Sequence, residues 1–275
     1  MRYLLIKLFL LLVMLNNTSA QQNDKSDFAF AKYLFETGQY ELASLELERQ
    51  LFRNVQDFEV RMLLIKTYRF ADRHLAARKL ADTPLPHTTI NQQFELWQAY
   101  INSCLYLKDF VAIRNSLAQH TSFRSLTPYE SYKQNLESGL NLLEATKNQK
   151  LQLPAMGTDA FLVQQFEIWN NSKRKSPVLA AGFSTLLPGS GKVYAGAWKD
   201  GLIAFLFVGA NAYSSYRGFS NQGIRSPYGW IFGSLTAGFY LGNIYGSHRQ
   251  ARKHNHLLEK SIKDRAYNRL LDLHP

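Results

Sequence analysis

A chain of 275 residues with 46% hydrophobic content is long enough for one or two domains with a sizeable core, which excludes wholesale disorder. Its formal net charge of +11 suits nucleic acid, anionic lipid or an acidic partner. The basic residues gather beside apolar stretches, however, with Lys173, Arg174 and Lys175 before one and Arg249, Arg252 and Lys253 after another. That placement favours phospholipid headgroups over nucleic acid, for which the sequence offers no reading motif and no basic face interleaved with aromatics.

The chain opens with the three parts of a secretory signal. Arg2 and Lys7 supply a positive end, Leu8 to Leu15 an apolar run, and Thr18-Ser19-Ala20 a small-residue exit before Gln21. A signal peptide over residues 1–20 is expected, cleaved rather than retained, because the run is too short to span a bilayer. No Cys follows it to carry a lipid, and the single cysteine, Cys104, is expected as core filler.

From Phe28 to about Gln119 a theme recurs. In the first copy Ala31 and Leu34 precede Gly38-Gln39-Tyr40, and Ala43 and Leu47 follow; small residues let two paired helices approach closely. The second places Ile65 and Tyr68, then Asp72-Arg73-His74, then Ala77 and Ala81, without the turn glycine. The third runs through Trp97, Ile101 and Cys104, then Lys108-Asp109-Phe110, then Ile113 and Leu117. These copies, at residues 27–56, 57–89 and 94–122, resemble the tetratricopeptide repeat family, with its Gly-x-Tyr-x-x-Ala signature intact only in the first. The resemblance implies helix-turn-helix units, with Ala31, Gly38, Tyr40, Ala43, Ala77 and Trp97 as packing positions and a groove for an extended or helical peptide. A further helix is predicted over Thr127 to Gln149 as a cap to the stack, so that the repeat domain occupies residues 21–153.

Residues 154–175 read as a linker followed by an amphipathic helix over Asp159 to Asn171, with Phe161, Leu162, Phe166 and Trp169 on its apolar side. From Pro177 to Gly246 charge nearly disappears and glycine becomes frequent, which marks residues 176–248 as a membrane domain. Its apolar stretches are Val178 to Leu187, Leu202 to Ser215 and Tyr228 to Tyr245; the last is long enough to cross the bilayer, the second becomes so if it runs from near Trp198 to near Tyr216, and the first is short enough for a re-entrant turn or part of a broken crossing. Gly238, Gly242 and Gly246 recur at every fourth residue, beside a second row of Gly229, Gly233 and Ala237, and such rows let helices pack closely in lipid. Residues 249–275 are predicted to form a basic amphipathic helix.

The segments Lys175-Ser176-Pro177, Ala181-Gly182-Phe183-Ser184, Pro188-Gly189-Ser190-Gly191-Lys192-Val193-Tyr194-Ala195-Gly196, Lys199-Asp200-Gly201 and Phe239 to Gly246 resemble a small bacterial membrane domain. That domain carries a Pro-Gly-x-Gly-x-x-Tyr-x-Gly hairpin, is related to two-helix membrane domains and is often joined to tetratricopeptide repeats. Pro188, Gly189, Gly191, Tyr194, Gly196, Asp200 and Gly201 are the matching positions, with Tyr194 expected as an interfacial anchor. The run Gly189-Ser190-Gly191-Lys192 lacks two requirements of a phosphate loop, since Leu186 stands at the earlier glycine position and Val193 at the Ser/Thr.

No zinc spacing, dinucleotide fingerprint or nucleophile elbow is present, so neither an enzyme nor a cofactor or metal is expected. The expectation is an all-α chain, a helical repeat array followed by a glycine-rich membrane domain. It would act as a membrane-anchored adaptor of the bacterial cell envelope, with the repeats in the periplasm at the inner membrane. Its partners would be an envelope protein or peptide and membrane lipid. An accessory subunit of a membrane insertion or transport apparatus is the alternative. Sidedness carries an internal conflict: export places the repeats outside, whereas the two basic runs prefer the cytoplasmic side.

Overall fold

The structure is a computed structural model that describes residues 26–146, 149–154 and 157–273. The signal peptide expected over residues 1–20 lies outside the described residues. Every regular element among the described residues is helical, so the chain is all-α. It divides into two compact units, one holding the described residues up to Leu136 together with those from Leu270 onward, the other Glu137–Arg269. The division falls inside a helix, between Leu136 and Glu137 of α7.

The first unit is a succession of helix pairs: α1 (26–36) with α2 (Tyr40–Arg53), α3 (Phe58–Phe70) with α4 (His74–Asp82), and α5 (Ile90–Tyr106) with α6 (Phe110–Gln119). A 3₁₀ turn at Thr121–Ser125 leads to α7 (Thr127–Glu144), which ends before the Gln149 expected from the sequence. Short polar side chains start several of these helices: Asp57 accepts from Val60 N–H, Asp109 from Ala112 N–H, and Thr89 forms a reciprocal capping box with Gln92.

Each pair is joined by the same left-handed turn. At the first, Gly38 has φ 77°, its N–H donates to Phe35 O at 3.1 Å and the next N–H, of Gln39, donates to Leu34 O at 2.9 Å. Asp72 (φ 58°) and Lys108 (φ 55°) repeat it, with Arg73 N–H on Tyr68 O at 2.7 Å and Asp109 N–H on Cys104 O at 2.9 Å. Paired bonds of this kind close a helix end that would otherwise leave carbonyls unsatisfied. Two of the three turns thus hold a non-glycine residue in a conformation that favours glycine.

The faces so turned together are apolar. Ala31 and Ala77 are fully buried in one cluster with Leu47, Leu64 and Ile65, Ala43 is likewise fully buried, and their single methyl groups allow the close approach of neighbouring helices. Arg61, 2% exposed, donates to Thr83 O at 2.8 Å and Val55 O at 3.4 Å, binding two loop carbonyls that no helix satisfies. Burial lowers its pKa.

The second unit contains α8 (Ala160–Asn171), α9 (Pro177–Leu186), the five-residue α10 (Ser190–Tyr194), α11 (Trp198–Gln222), a 3₁₀ turn at Gly223–Arg225 and most of α12 (Pro227–Asp272). The glycine-rich stretch and the basic C-terminal helix, separate in the sequence reading, are here one continuous helix. Nothing between Gly246 and Leu257 breaks it, because the intervening Ser, Arg, Gln, Ala, Lys, His and Asn all keep a backbone N–H and none is proline.

No described helix is long and apolar enough to cross a membrane. The crossing expected over Tyr228 to Tyr245 is therefore not met. The segment is long, but Gly, Ser, Thr, Tyr and Asn dilute its hydropathy.

Candidate functional site

In the first unit, residues of α3 and α5 line a groove of about 550 Å³. Lys66, Arg69 and Glu95 give it charge of both signs, Gln98 and Asn102 hydrogen-bonding capacity, and Met62 and Leu63 an apolar side. Leu273, just beyond the end of α12, lines the same groove. Burial lowers the Arg69 pKa, and its guanidinium lies 5.8 Å from the centre of the Tyr106 ring.

An aromatic cluster packs beside this groove. Trp97 is 4% exposed and its indole N–H donates to Ser116 Oγ at 2.7 Å. Around it stand Phe94, Phe123, Tyr129 and Tyr132, whose ring centres lie 5.4 to 5.9 Å from that of Trp97. Burial pushes the Tyr132 hydroxyl far above the ordinary phenol range. Ser116 Oγ also lies 3.4 Å from His120 Nδ1, but that nitrogen is nearer its own helix carbonyl, Ser116 O, at 3.0 Å. The pair therefore closes the end of α6 and does not present a hydroxyl to a base. Cys104 is fully buried and burial raises its thiol pKa, the setting of an inert cysteine.

In the second unit the hairpin residues converge on a tight backbone junction. Gly189 has φ 90°, and a Cβ there would stand 2.0 Å from Gly201 O. A Cβ on Gly191 would stand 1.8 Å from Ala180 O and 2.5 Å from Ser184 Oγ. Gly201 approaches from the other side, its own added Cβ 2.6 Å from Gly189 O. Glycine at these positions thus answers to contact as well as to turn geometry.

Hydrogen bonds complete the junction. Ser247 Oγ donates to Asn243 O at 2.9 Å, which leaves it to accept from Ser184 Oγ at 2.7 Å, and Ser184 Oγ in turn accepts from Gly191 N–H at 3.1 Å. Tyr240 Oη donates to Thr185 O at 2.6 Å. Asn255 clamps Lys175 through both amide atoms, each bond 2.8 Å.

Several motif positions act differently from expectation. Tyr194 is half-buried, accepts from Ser176 N–H at 3.1 Å and packs edge-on to Phe183, so it joins α9 to α10. Part of the basic run is likewise engaged: Arg174 lies 4.8 Å from the Trp169 ring centre and Lys175 4.9 Å from that of Tyr194. Pro188 follows α9, Gly196 (φ 89°) closes α10, and Asp200 sits in the first turn of α11, where its charge complements the helix dipole.

Of the two glycine rows, the second makes the close crossing. A Cβ on Gly218 would meet Gly229 N at 2.7 Å, and one on Gly229 would meet the Phe219 ring at the same distance. Ser215 Oγ seals the crossing by donating to Gly229 O at 2.8 Å. At Gly238 and Gly242, in contrast, an added Cβ meets nothing within 4 Å, and at Gly246 it meets only Lys192 at 3.4 Å. That row faces open space.

Sequence reasoning read Asn243 only as a member of the Phe239 to Gly246 motif and gave no role to Ser247 and Asn255, polar residues inside a segment read as apolar or basic. Their spacing of four along α12, from 243 to 247 and from 247 to 251 with buried Ala251, was the available signal.

Large apolar side chains remain exposed along this unit: Val178 and Leu186 on α9, Ile203 and Leu206 on α11, Ile231 and Leu241 on α12. Among the described residues, no cluster of three or more His, Cys, Asp or Glu could hold a metal. No family model, no curated protein and no solved structure matches this chain.

Proposed function

We propose that the chain is a non-enzymatic adaptor of the bacterial cell envelope, in which tetratricopeptide-type helix pairs capture a protein partner and the C-terminal helices hold it at the inner membrane. The exposed apolar residues of α9, α11 and α12 carry the membrane half of this reading. Half or more exposed, Leu, Ile, Phe, Tyr and Trp side chains on three helices of one folded unit need a cover, and lipid supplies one. The helices anchor by embedding these faces and are not required to form a simple apolar span. Export by the N-terminal segment would put the helix pairs in the periplasm.

The three repeated turns and the groove lined by Lys66, Arg69, Glu95 and Gln98 support the partner-binding half. Its mixed charge suits a polar peptide segment with apolar anchors. A photo-crosslinking amino acid at Gln98, in the groove, is compared in intact cells with one at Phe52, whose side chain is 88% exposed and lies outside the groove lining. A discrete adduct is expected from Gln98, absent from Phe52 and lost on Lys66→Glu. Identical adducts from both positions, or none from the groove, would remove the adaptor reading.

A further inference from the structure

The open glycine row is one wall of a cavity of about 410 Å³ between α11 and α12, a volume within the range of small-ligand sites. Along α11 the lining passes from Asp200 through Ile203 and Ala204 to Phe207. Along α12 it passes in the opposite sense, from Gly238 and Phe239 to Gly242 and Asn243. Two contacts fix this order. The Phe207 and Phe239 ring centres are 5.9 Å apart, and Lys192, which also lines the cavity, lies against Gly246. One end is therefore apolar, and the other collects Lys192, Asp200 and Asn243.

Asn243 is the unusual member. It is 4% exposed, and neither its amide nitrogen nor its amide oxygen has a hydrogen-bond partner. A buried carboxamide with both functions unmet carries a desolvation cost that a ligand able to donate and accept would remove. Lys192 and Asp200 beside it form no ion pair among the described residues. The polar end thus offers one cation, one anion and one neutral donor–acceptor, a set complementary to a zwitterion rather than to a simple anion.

We propose that this cavity binds the headgroup and first methylenes of a zwitterionic aminophospholipid of the phosphatidylethanolamine type. The ligand ammonium pairs with Asp200 and its phosphate with Lys192. Asn243 hydrogen-bonds the phosphate–ester region, and the chain lies along Ile203, Phe207 and the Gly238–Gly242 wall. The cavity is open along that wall, so the chain continues beyond it. A second copy of α12 fits less well, because Asn243 lies at the bottom of a concavity that a symmetric partner, equally concave, does not reach. The proposal rests on the membrane reading above and adds headgroup choice to it.

The test uses the full-length protein in detergent, stripped of lipid, and native mass spectrometry with added phosphatidylethanolamine, phosphatidylcholine or phosphatidylglycerol of identical chains. Phosphatidylethanolamine should be retained at least about tenfold better than the other two, since the choline headgroup has no N–H for Asp200 and the glycerol headgroup has no cation. Asn243→Leu and Gly238→Leu should each abolish that preference. Gly238→Leu adds a side chain where nothing stands within 4 Å, so the unfolding midpoint should not fall even as the cavity fills.

Equal retention of the three lipids, or undiminished preference in Gly238→Leu, would overturn the assignment. Displacement by chain-free glycerophosphoethanolamine at equal concentration would assign the site to a free headgroup and overturn the lipid. Headgroup preference is read in detergent and membrane attachment in vesicles, so loss of one with retention of the other identifies which reading has failed.

Discussion

Single residues carry different loads in the two units although many are the same amino acid. Gly38 has φ 77° and open space around it, so Gly38→Ala meets only the left-handed backbone cost, about 1 kcal/mol. Gly191 has ordinary φ, but its Cβ would lie 1.8 Å from a backbone oxygen that cannot move aside as a flexible side chain can. Gly191→Ala should therefore destabilise the second unit by several times the Gly38→Ala effect, with a total of roughly 3 kcal/mol or more. Denaturant unfolding of the two variants checks the order. Conversely, Lys108 holds φ 55° without the freedom of glycine, and Lys108→Gly should raise stability by up to about 1 kcal/mol. Equal losses for the two alanine variants would remove the distinction between turn glycines and contact glycines.

Among elements, the α11–α12 hairpin shows how much of the structure was legible in the sequence. Two rows of small residues were visible there, and packing was expected of Gly238, Gly242 and Gly246, whereas Gly229 of the other row makes the close approach to Gly218. Which row packs was not visible, because both share the helical period and only the turn at Gly223–Arg225 sets which face of α12 meets α11. Gly229→Leu should separate the hairpin and lower the unfolding midpoint, whereas Gly242→Leu should not. The three turns at 38, 72 and 108 were legible as positions, but their common left-handed geometry was hidden by Asp72 and Lys108. The candidate sites were less legible still: the groove and the Asn243 cavity are built from residues distant in sequence, and no single segment carries their pattern.

The junction between α8 and α12 adds a pH-dependent element. Asp159 caps α8 and accepts two hydrogen bonds from Arg269, at 3.1 and 2.7 Å. Those bonds, chiefly, hold its carboxyl below the ordinary carboxylate value near 3.8, against the opposing effect of burial. A lowered folded-state pKa means that the stabilisation is fully present above the unfolded value and is lost as pH falls through the folded one. Acid titration should thus weaken the second unit below about pH 4, and Asp159→Asn should flatten that part of the profile. An unchanged acid limb in Asp159→Asn would show that the pair contributes nothing measurable.

At the scale of the whole molecule, the all-α class and the approximate places of the helices followed from apolar periodicity, caps and turn residues. What did not follow was continuity. Composition changes sharply near Gly246, yet backbone hydrogen bonding does not respond to that change and α12 runs through it. Composition likewise suggested a clean membrane crossing, while the helices formed are too rich in Gly, Tyr, Ser and Asn to meet that description and instead expose apolar faces. Membrane attachment as proposed would therefore rest on these exposed apolar faces. The most direct measurement is flotation of the full-length protein with vesicles of phosphatidylethanolamine and phosphatidylglycerol, compared with the double variant Leu206→Glu, Ile231→Glu, both at exposed positions. The wild-type chain should rise with the vesicles and the folded double variant should remain below; a wild-type chain left in the aqueous fraction, or a variant that floats equally well, would contradict the account.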